Sequence, residues 1–513
     1  MATFGMESYK LIARRSFDSA NSRQVRMTTT LRGLLRAAGL TAAFTAACYG
    51  SAFSIAQLGA RAAGMGTAFI ATADDGSAIY FNPAGIAFQP GRKMQMDSLV
   101  VVGLFRYTPT TVPVGQVVPP NGYSGSVKPK FIPVASLYMT QQYNEKITLG
   151  FGVFTPFGLA ANFTNFNDSD PNLTKYPGRF AGTRAQLQSY WFQPTIAYKL
   201  TPNQSIALGP AFVHTHLFLE QSILNPLDDG LEFGRLAAKT FFPGVNKEQA
   251  AAVLARLLPE GRSRVAGTAN SPAFSAGWLY KRPDGKVRFG LMYRSAVTNH
   301  LKGQASFAFG NDYAVKQYIG EDFLFKAFPN QPVTGSFTTP ATYGAGFATS
   351  RFWDMTIAAD VRIQDYKRFK SVPLNFPYNE DISTKDDIAL PAEQRLIFDF
   401  NTSVNVAFGV EKALSPSMTV RAGYMFDRSP VPDKSVGPLF PDSNRNSFTV
   451  GASRKRGNKE FTIYYEAMKF ENRVTNVPAN NKIYTNGEYK NFAHLAGLAL
   501  RFNLGDLAMI KKR

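Results

Sequence analysis

Two arginines and two histidines are the residues of this sequence best placed to do chemistry. Arg294 and Arg421 lie on the polar faces of alternating segments, RFGLMYRS and TVRAGYMF. An enclosed guanidinium takes a carboxylate through two parallel hydrogen bonds. Either arginine is therefore a head-group candidate for an acidic ligand, and the competing reading pairs them with acids such as Asp360 or Glu466. His214 and His216 share one strand face, but no carboxylate or cysteine spacing completes a metal site around them. No metal and no other cofactor is expected. The stretch GARAAGMGT has glycines spaced for a phosphate loop, but Met65 stands where the lysine belongs. It also fails as a dinucleotide fingerprint, with Phe69 at the third glycine. No nucleophile and base stand out as a pair, so the expectation is a binding or transport protein and not an enzyme.

The elements that must position these residues follow from a period of two. In FDFNTSVNVAFGVE, Phe398, Phe400, Val404, Val406, Phe408 and Val410 share one face, with Asp399, Asn401, Ser403, Asn405 and Glu411 opposite. Residues 287–295, 354–366 and the stretch FAHLAGLALRF alternate in the same way. Such alternation marks strands with one apolar face. Short turns read near Asn144, Pro202, Asp284, Arg351, Ser415 and Gly457. Long connections fall at 108–130, 156–185, 220–271, 301–339, 367–396, 427–446 and 470–490. Strict alternation of short turns with long polar loops is the layout of an outer-membrane barrel, and these connections join about fourteen strands. The expected fold is all-β, an antiparallel transmembrane barrel.

The front of the chain reads differently. Arg32 and Arg36 precede the uncharged run AAGLTAAFTAACYG, and Gly50-Ser51-Ala52 supplies small residues for cleavage, as in a secretory signal. We expect a leader over 1–52, with Met27 opening a segment of ordinary signal length. A lipoprotein signal ending at Cys48 is the rival, and Thr45 fits it poorly. Cys48 is the only cysteine, so the mature chain has no disulfide or thiolate site. The leader holds seven Lys/Arg against two Asp/Glu, or +5 of the formal +20. The remaining charge is scattered through turns and alternating segments, which suits an anionic surface or ligand and not nucleic acid. After the leader, DDGSAIYFNPAGIA has turn-formers at both ends and no run long enough for a strand. Asn82 can bond its own backbone, and Pro83 and Ala84 complete a stiff turn.

These blocks resemble the FadL family of outer-membrane transporters for long-chain fatty acids and other hydrophobic compounds. The matching stretches are ARAAGMGTAFIATADDGSAIYFNPAGIA, FGVFTPFGLAANF, RFGLMYRSAVTNHLKG, MTIAADVRIQDYKRF and VRAGYMFDRSPVPDKSVGPLFPDSNR. The tail NLGDLAMIKKR departs from the family, whose chains commonly end on the last strand's aromatic residue. The resemblance implies a fourteen-strand barrel over 94–504, a lumen hatch over 53–93 and a tail over 505–513. It implies residence in the outer membrane of a Gram-negative bacterium, among membrane lipid and lipopolysaccharide, after insertion by the barrel machinery, as a monomer. It implies passive uptake: capture outside, binding in the lumen near the hatch N-terminus at Phe53, hatch rearrangement, and sideways exit at the third strand. Pro156 and Gly158 interrupt strand pairing, so Phe154, Pro156, Phe157, Gly158 and Leu159 mark the expected opening. For capture, Asn246 can cap a helix carrying Val253, Leu254, Leu257 and Leu258 on one face, beside Phe241 and Phe242. The alternative function is a general diffusion channel for small polar solutes.

Overall fold

The computed structural model describes residues 52–109, 125–126, 132–162, 177–224, 246, 248–250, 253, 259–310, 324, 328–377, 393–437, 440–477 and 485–505. Fourteen antiparallel strands close into a barrel. They are β1 Arg92–Pro109, β2 Ile132–Gln142, β3 Ile147–Asn162, β4 Arg184–Thr201 and β5 Gln204–Ile223. There follow β6 Gly261–Lys281, β7 in two parts, Val287–Arg294 and Val297–Phe309, and β8 in two parts, Gln331–Thr339 and Thr342–Phe352. The last six are β9 Met355–Gln364, β10 Ser403–Ser415, β11 Met418–Asp427, β12 Arg445–Arg456, β13 Lys459–Phe470 and β14 Gly487–Asn503. Closure comes from β1 against β14, in register from Lys93↔Asn503 to Pro109↔Gly487.

Alternation explains the wall. Phe212, Leu291, Phe408, Phe448 and Ile463 are exposed on the outside, where lipid replaces water. Asp360, Arg362, Asn405 and Glu466 are buried on the inside. The six short turns fall where the sequence places them. The long connections are shorter than expected, because β5, β6 and β7 run on: β6 begins at Gly261, not near 272. Arg262, Arg264, Thr268 and Asn270 point outward there, opposite small residues such as Gly267 and Ala269, so the apolar face is too weak to signal a strand. A second correction concerns Phe398 and Phe400. They are buried rather than lipid-facing, because Asp399 takes φ 48° and turns the chain before β10 begins.

A fourteen-strand barrel is too wide for wall side chains to fill. Residues 52–91 occupy its lumen as two short helices, α1 Ala60–Gly64 and α2 Ala78–Phe81, and a 3-10 turn Pro83–Phe88. Backbone touches backbone where this plug meets the wall. A Cβ on Gly423 of β11 would lie 2.1 Å from the Gly66 nitrogen. One on Gly409 of β10 would lie 2.4 Å from the Met65 oxygen. No flexible side chain can yield at either contact. Gly423→Ala is expected to cost about 1–3 kcal/mol by overpacking. The check is the thermal transition of the folded barrel, which falls in Gly423→Ala and is unchanged in a lipid-facing control such as Phe448→Leu.

Candidate functional site

The plug body is bolted to the wall by ion pairs. Arg61 of α1 pairs with Asp74 and, through two nitrogens at 2.8 Å each, with Glu411 of β10. Glu411 also receives Arg421 of β11 at 2.5 Å, and Arg421 donates to Ser453 of β12 at 2.5 Å. Arg288 of β7 holds Asp74 from the other side at 3.2 Å. Burial alone would raise the Asp74 carboxyl, but Arg61 and Arg288 outweigh it and hold the group well below the ordinary carboxylate range. Asp75 beside it is raised, because burial dominates. Two backbone N–H groups, of Phe69 and Ile70, donate to Asp360 of β9 at 2.6 and 2.8 Å. Asn82 ties three backbones at once. Its oxygen accepts from Ala84 N–H at 3.2 Å, and its amide donates to Ile70 O and to Trp278 O of β6, both at 3.0 Å. Pro83 and Ala84 are buried in the same turn, and Ala84 O accepts from Ser205 of β5 at 2.8 Å.

The start of the plug is held differently. Strand β3 pairs with β2 only from Thr148 to Val153. Beyond Val153 it keeps its other neighbour, β4, with a register break between Phe154 and Phe157. Proline at 156 supplies no N–H, which is the local cause of that break. The free edge is filled from inside. Ile55 N–H donates to Pro156 O at 2.8 Å, Gly158 N–H donates to Phe53 O at 2.7 Å, and Ser54 bridges Phe157. A side chain on Gly158 would meet Ile55 at 2.8 Å. Residues 53–55 are thus a short extended segment that stops a gap in the wall between β2 and β3. Side-chain hydrogen bonds and rings hold the segment, among them Gln364 to Ser54 at 2.8 Å and Tyr80 to Ile55 O at 2.9 Å.

Two cavities flank this strand. Phe53 is wholly buried, edge-on to Tyr366 and Phe369 at 5.2 Å and to Phe157 at 5.9 Å. With Leu159, Leu187, Phe398 and Phe440 it lines a narrow apolar cleft with only about 20 Å³ of free volume, spread as thin gaps between rings. Phe154 lies apart from this cleft, stacked between Tyr138 at 5.9 Å and Trp191 at 6.2 Å. On the other side, Ser54 and Ala56 join Arg294 of β7, Arg362 of β9, Asn405 of β10 and Asp427 of β11 around a small polar cavity of about 20 Å³, room for little more than a water. Arg294 sits where β7 is broken. It donates to Tyr80 O, lies over the Tyr80 ring at 4.1 Å, and its buried Nε has no partner. Arg362 donates to Asn405 at 2.8 and 3.1 Å and to Thr67. Neither arginine makes an ion pair with a carboxylate among the described residues.

The structure therefore brings Phe53, Phe157, Gly158, Leu159 and Arg294 together around one segment. Arg421 does not join them. It pairs with Glu411 and Ser453, in line with the competing reading that such an arginine meets a lumen acid. The grouping of Tyr366, Phe369 and Phe440 into a cage, and of Arg362 beside Arg294, comes from the structure alone. Arg362 was visible on a polar strand face. Phe369 and Phe440 lie in connections, where no period assigns a side, and Tyr366 closes the alternating stretch 354–366. Phe241, Phe242, Leu254, Leu257 and Leu258 lie outside the described residues, and Val253 is exposed.

A barrel that faces lipid outside and encloses a bolted plug is an outer-membrane transport architecture. Residues 40–503 match the model of the outer membrane protein transport protein family (OMPP1/FadL/TodX), and the chain belongs to that family. It is 23% identical over 415 residues to an outer membrane protein of Neisseria meningitidis serogroup B, covering 80% of this chain and 84% of the relative. It is 24% identical over 411 residues to a 47 kDa outer membrane protein of Pasteurella multocida, covering 79% and 83%. Among solved structures, a Pseudomonas aeruginosa FadL homologue superposes with a TM-score of 0.68 at 16% identity, over 90% of this chain and 99% of that one. The Pseudomonas putida toluene transporter TodX gives 0.58 at 15% identity, over 88% and 99%. The protein is an outer-membrane transporter of hydrophobic compounds.

Proposed function

We propose that the cargo is an amphipathic carboxylate, long-chain fatty acids being the class that fits, taken up passively and released sideways between β2 and β3. The observation that carries this reading is Arg294, buried beside the plug strand in no ion pair and with its Nε unpartnered, next to Arg362, whose nearest balancing charge is Asp360 on its own strand. A buried charge lacking a counterion is costly, and an incoming carboxylate supplies one. The apolar cleft on the other side of residues 53–56 suits the tail. Burying a tail is worth about 0.8 kcal/mol per methylene, on the order of 10 kcal/mol for a long chain, and a static pocket that good would not release its ligand. The tail competes with the Phe53 ring for the same cage. When Phe53 leaves, residues 53–55 no longer cap the free edge of β3, and the cleft opens toward lipid. The plug body stays seated, because ion pairs and backbone contacts hold it, so the moving part is Phe53–Leu58. Loop residues 241–258 remain the proposed site of external capture. The filled lumen argues against a general diffusion channel.

The test is binding to the purified, refolded wild type and to Arg294→Met. Loss of one charge-assisted contact is worth about 1.5–3 kcal/mol, so oleate affinity is expected to fall roughly 10–100-fold. Affinity for toluene or an n-alkane is expected to hold. Equal oleate affinity in the two proteins contradicts the reading. The ring cage favours a second cargo class, aromatic hydrocarbons. Toluene binding that exceeds oleate binding in the wild type decides for it.

A further inference from the structure

Part of the formal charge of +20 stands where it can meet a partner. The short turns form the periplasmic rim of an outer-membrane barrel, and five of the six carry exposed cations. Lys146 stands between β2 and β3, Arg282 and Lys286 between β6 and β7, and Arg351 after β8. Lys412 closes β10, and Arg454, Lys455, Arg456 and Lys459 surround the turn between β12 and β13. The exposed acids on these turns are Glu145, Asp284 and Asp354. Asp284 is already shared, by Arg282 at 3.5 Å and Arg351 at 3.2 Å. Among the described residues, Lys146, Lys286, Lys412 and the four cations at β12–β13 make no ion pair. Strand β14 ends at this rim, where Leu504 N–H donates to Arg92 O at 2.8 Å. The long connections at the other end are close to balanced, and residues 365–402 hold more acids than bases.

The depth of these cations is set by their neighbours. Tyr143 beside Lys146, Phe352 and Trp353 beside Arg351, Leu414 beside Lys412 and Phe461 beside Lys459 are all exposed. Aromatic side chains at the edge of a barrel's apolar band mark the membrane interface. The cations therefore stand at the level of head-group phosphates. They also run around most of the circumference, which fits an annulus of lipid better than one docked protein.

We propose that the periplasmic rim is a binding ring for anionic phospholipid head groups of the inner leaflet, of the phosphatidylglycerol class. Polybasic segments at a membrane surface bind anionic lipid, and the attraction weakens as salt rises. The proposal rests on the position of the barrel in the membrane and is independent of the cargo.

The test is native mass spectrometry of the mature protein offered equimolar phosphatidylglycerol and phosphatidylethanolamine in detergent. Wild type is expected to retain phosphatidylglycerol at least five-fold over phosphatidylethanolamine, with the preference shrinking at high salt. The rim variant Lys412→Gln/Arg454→Gln/Lys455→Gln/Arg456→Gln/Lys459→Gln is expected to lose that preference. A control on the opposite end, Lys367→Gln/Arg368→Gln/Lys370→Gln, is expected to keep it. Equal retention of the two lipids by wild type overturns the proposal, as does a preference that survives in the rim variant or vanishes in the control. A third arm offers lipid A, and rim-dependent retention of lipid A above phosphatidylglycerol overturns the assignment to the inner leaflet. Heat-modifiable gel mobility verifies that each variant is a folded barrel. Oleate uptake by the rim variant in zwitterionic vesicles is expected to match wild type, so failure here is distinct from failure of the transport reading.

Discussion

A disulfide between positions 54 and 157 is expected to stop uptake, and a reductant is expected to restore it. Ser54 and Phe157 face each other across an antiparallel bridge. Directly opposed residues in such a pair place their Cβ atoms about 4.5–5.5 Å apart, close to the span a disulfide takes after a small shift. Cys48 is the only native cysteine, so in a chain that begins at residue 53, Ser54→Cys/Phe157→Cys forms one defined bond. Oxidised, the plug strand is fixed to the free edge of β3, and Phe53 cannot leave its cage. Uptake of a fluorescent fatty acid into vesicles or cells is expected to fall at least ten-fold. With dithiothreitol it is expected to return to the rate of the two single variants. Unchanged uptake by the fully oxidised protein means that this segment does not move during transport.

The second large effect follows from removing the plug. Residues 53–88 fill a lumen too wide for wall side chains, and every wall residue they touch would then face water. Deleting them is expected to convert a silent barrel into an ion-conducting pore that also passes small sugars. Planar-bilayer conductance and liposome swelling read the two properties. The plug's contacts do not include the pairing between neighbouring wall strands, so the barrel is expected to remain heat-modifiable. Conductance that stays at background in the folded deletion variant means that the plug is not the seal.

Much of this was legible in the residues because barrels obey a simple rule. Alternation assigns each strand residue to lipid or lumen, and short turns count the strands. The six turns and the inward placement of Arg294, Asp360 and Arg362 follow from that. The register break at Pro156 was legible because proline lacks the N–H that strand pairing needs. What fills the gap was only half legible, since antiparallel pairing between Phe53–Ile55 and Pro156–Gly158 joins segments about a hundred residues apart and leaves no local signature. The cage around Phe53 was hidden for the same reason. Phe369 and Phe440 lie in connections, and Phe398 is turned inward by one left-handed residue, Asp399. The fate of Arg421 turned on its partner. Glu411 sits directly opposite it on β10 and takes the charge that a ligand would otherwise meet.

The route out of the lumen is tested most directly by photo-crosslinking during uptake. The probe is a long-chain fatty acid with a diazirine near its tail, reconstituted with wild-type protein and mapped by peptide mass spectrometry. Sideways release predicts labels on Val134–Ser136 of β2, on Phe157–Leu159 of β3 and on the Phe53 segment, and their loss in the oxidised Ser54→Cys/Phe157→Cys protein. Labels concentrated beneath the plug, on Gln89, Arg92 or the periplasmic turns, with β2 and β3 unmarked, would contradict it and place the exit through the plug instead.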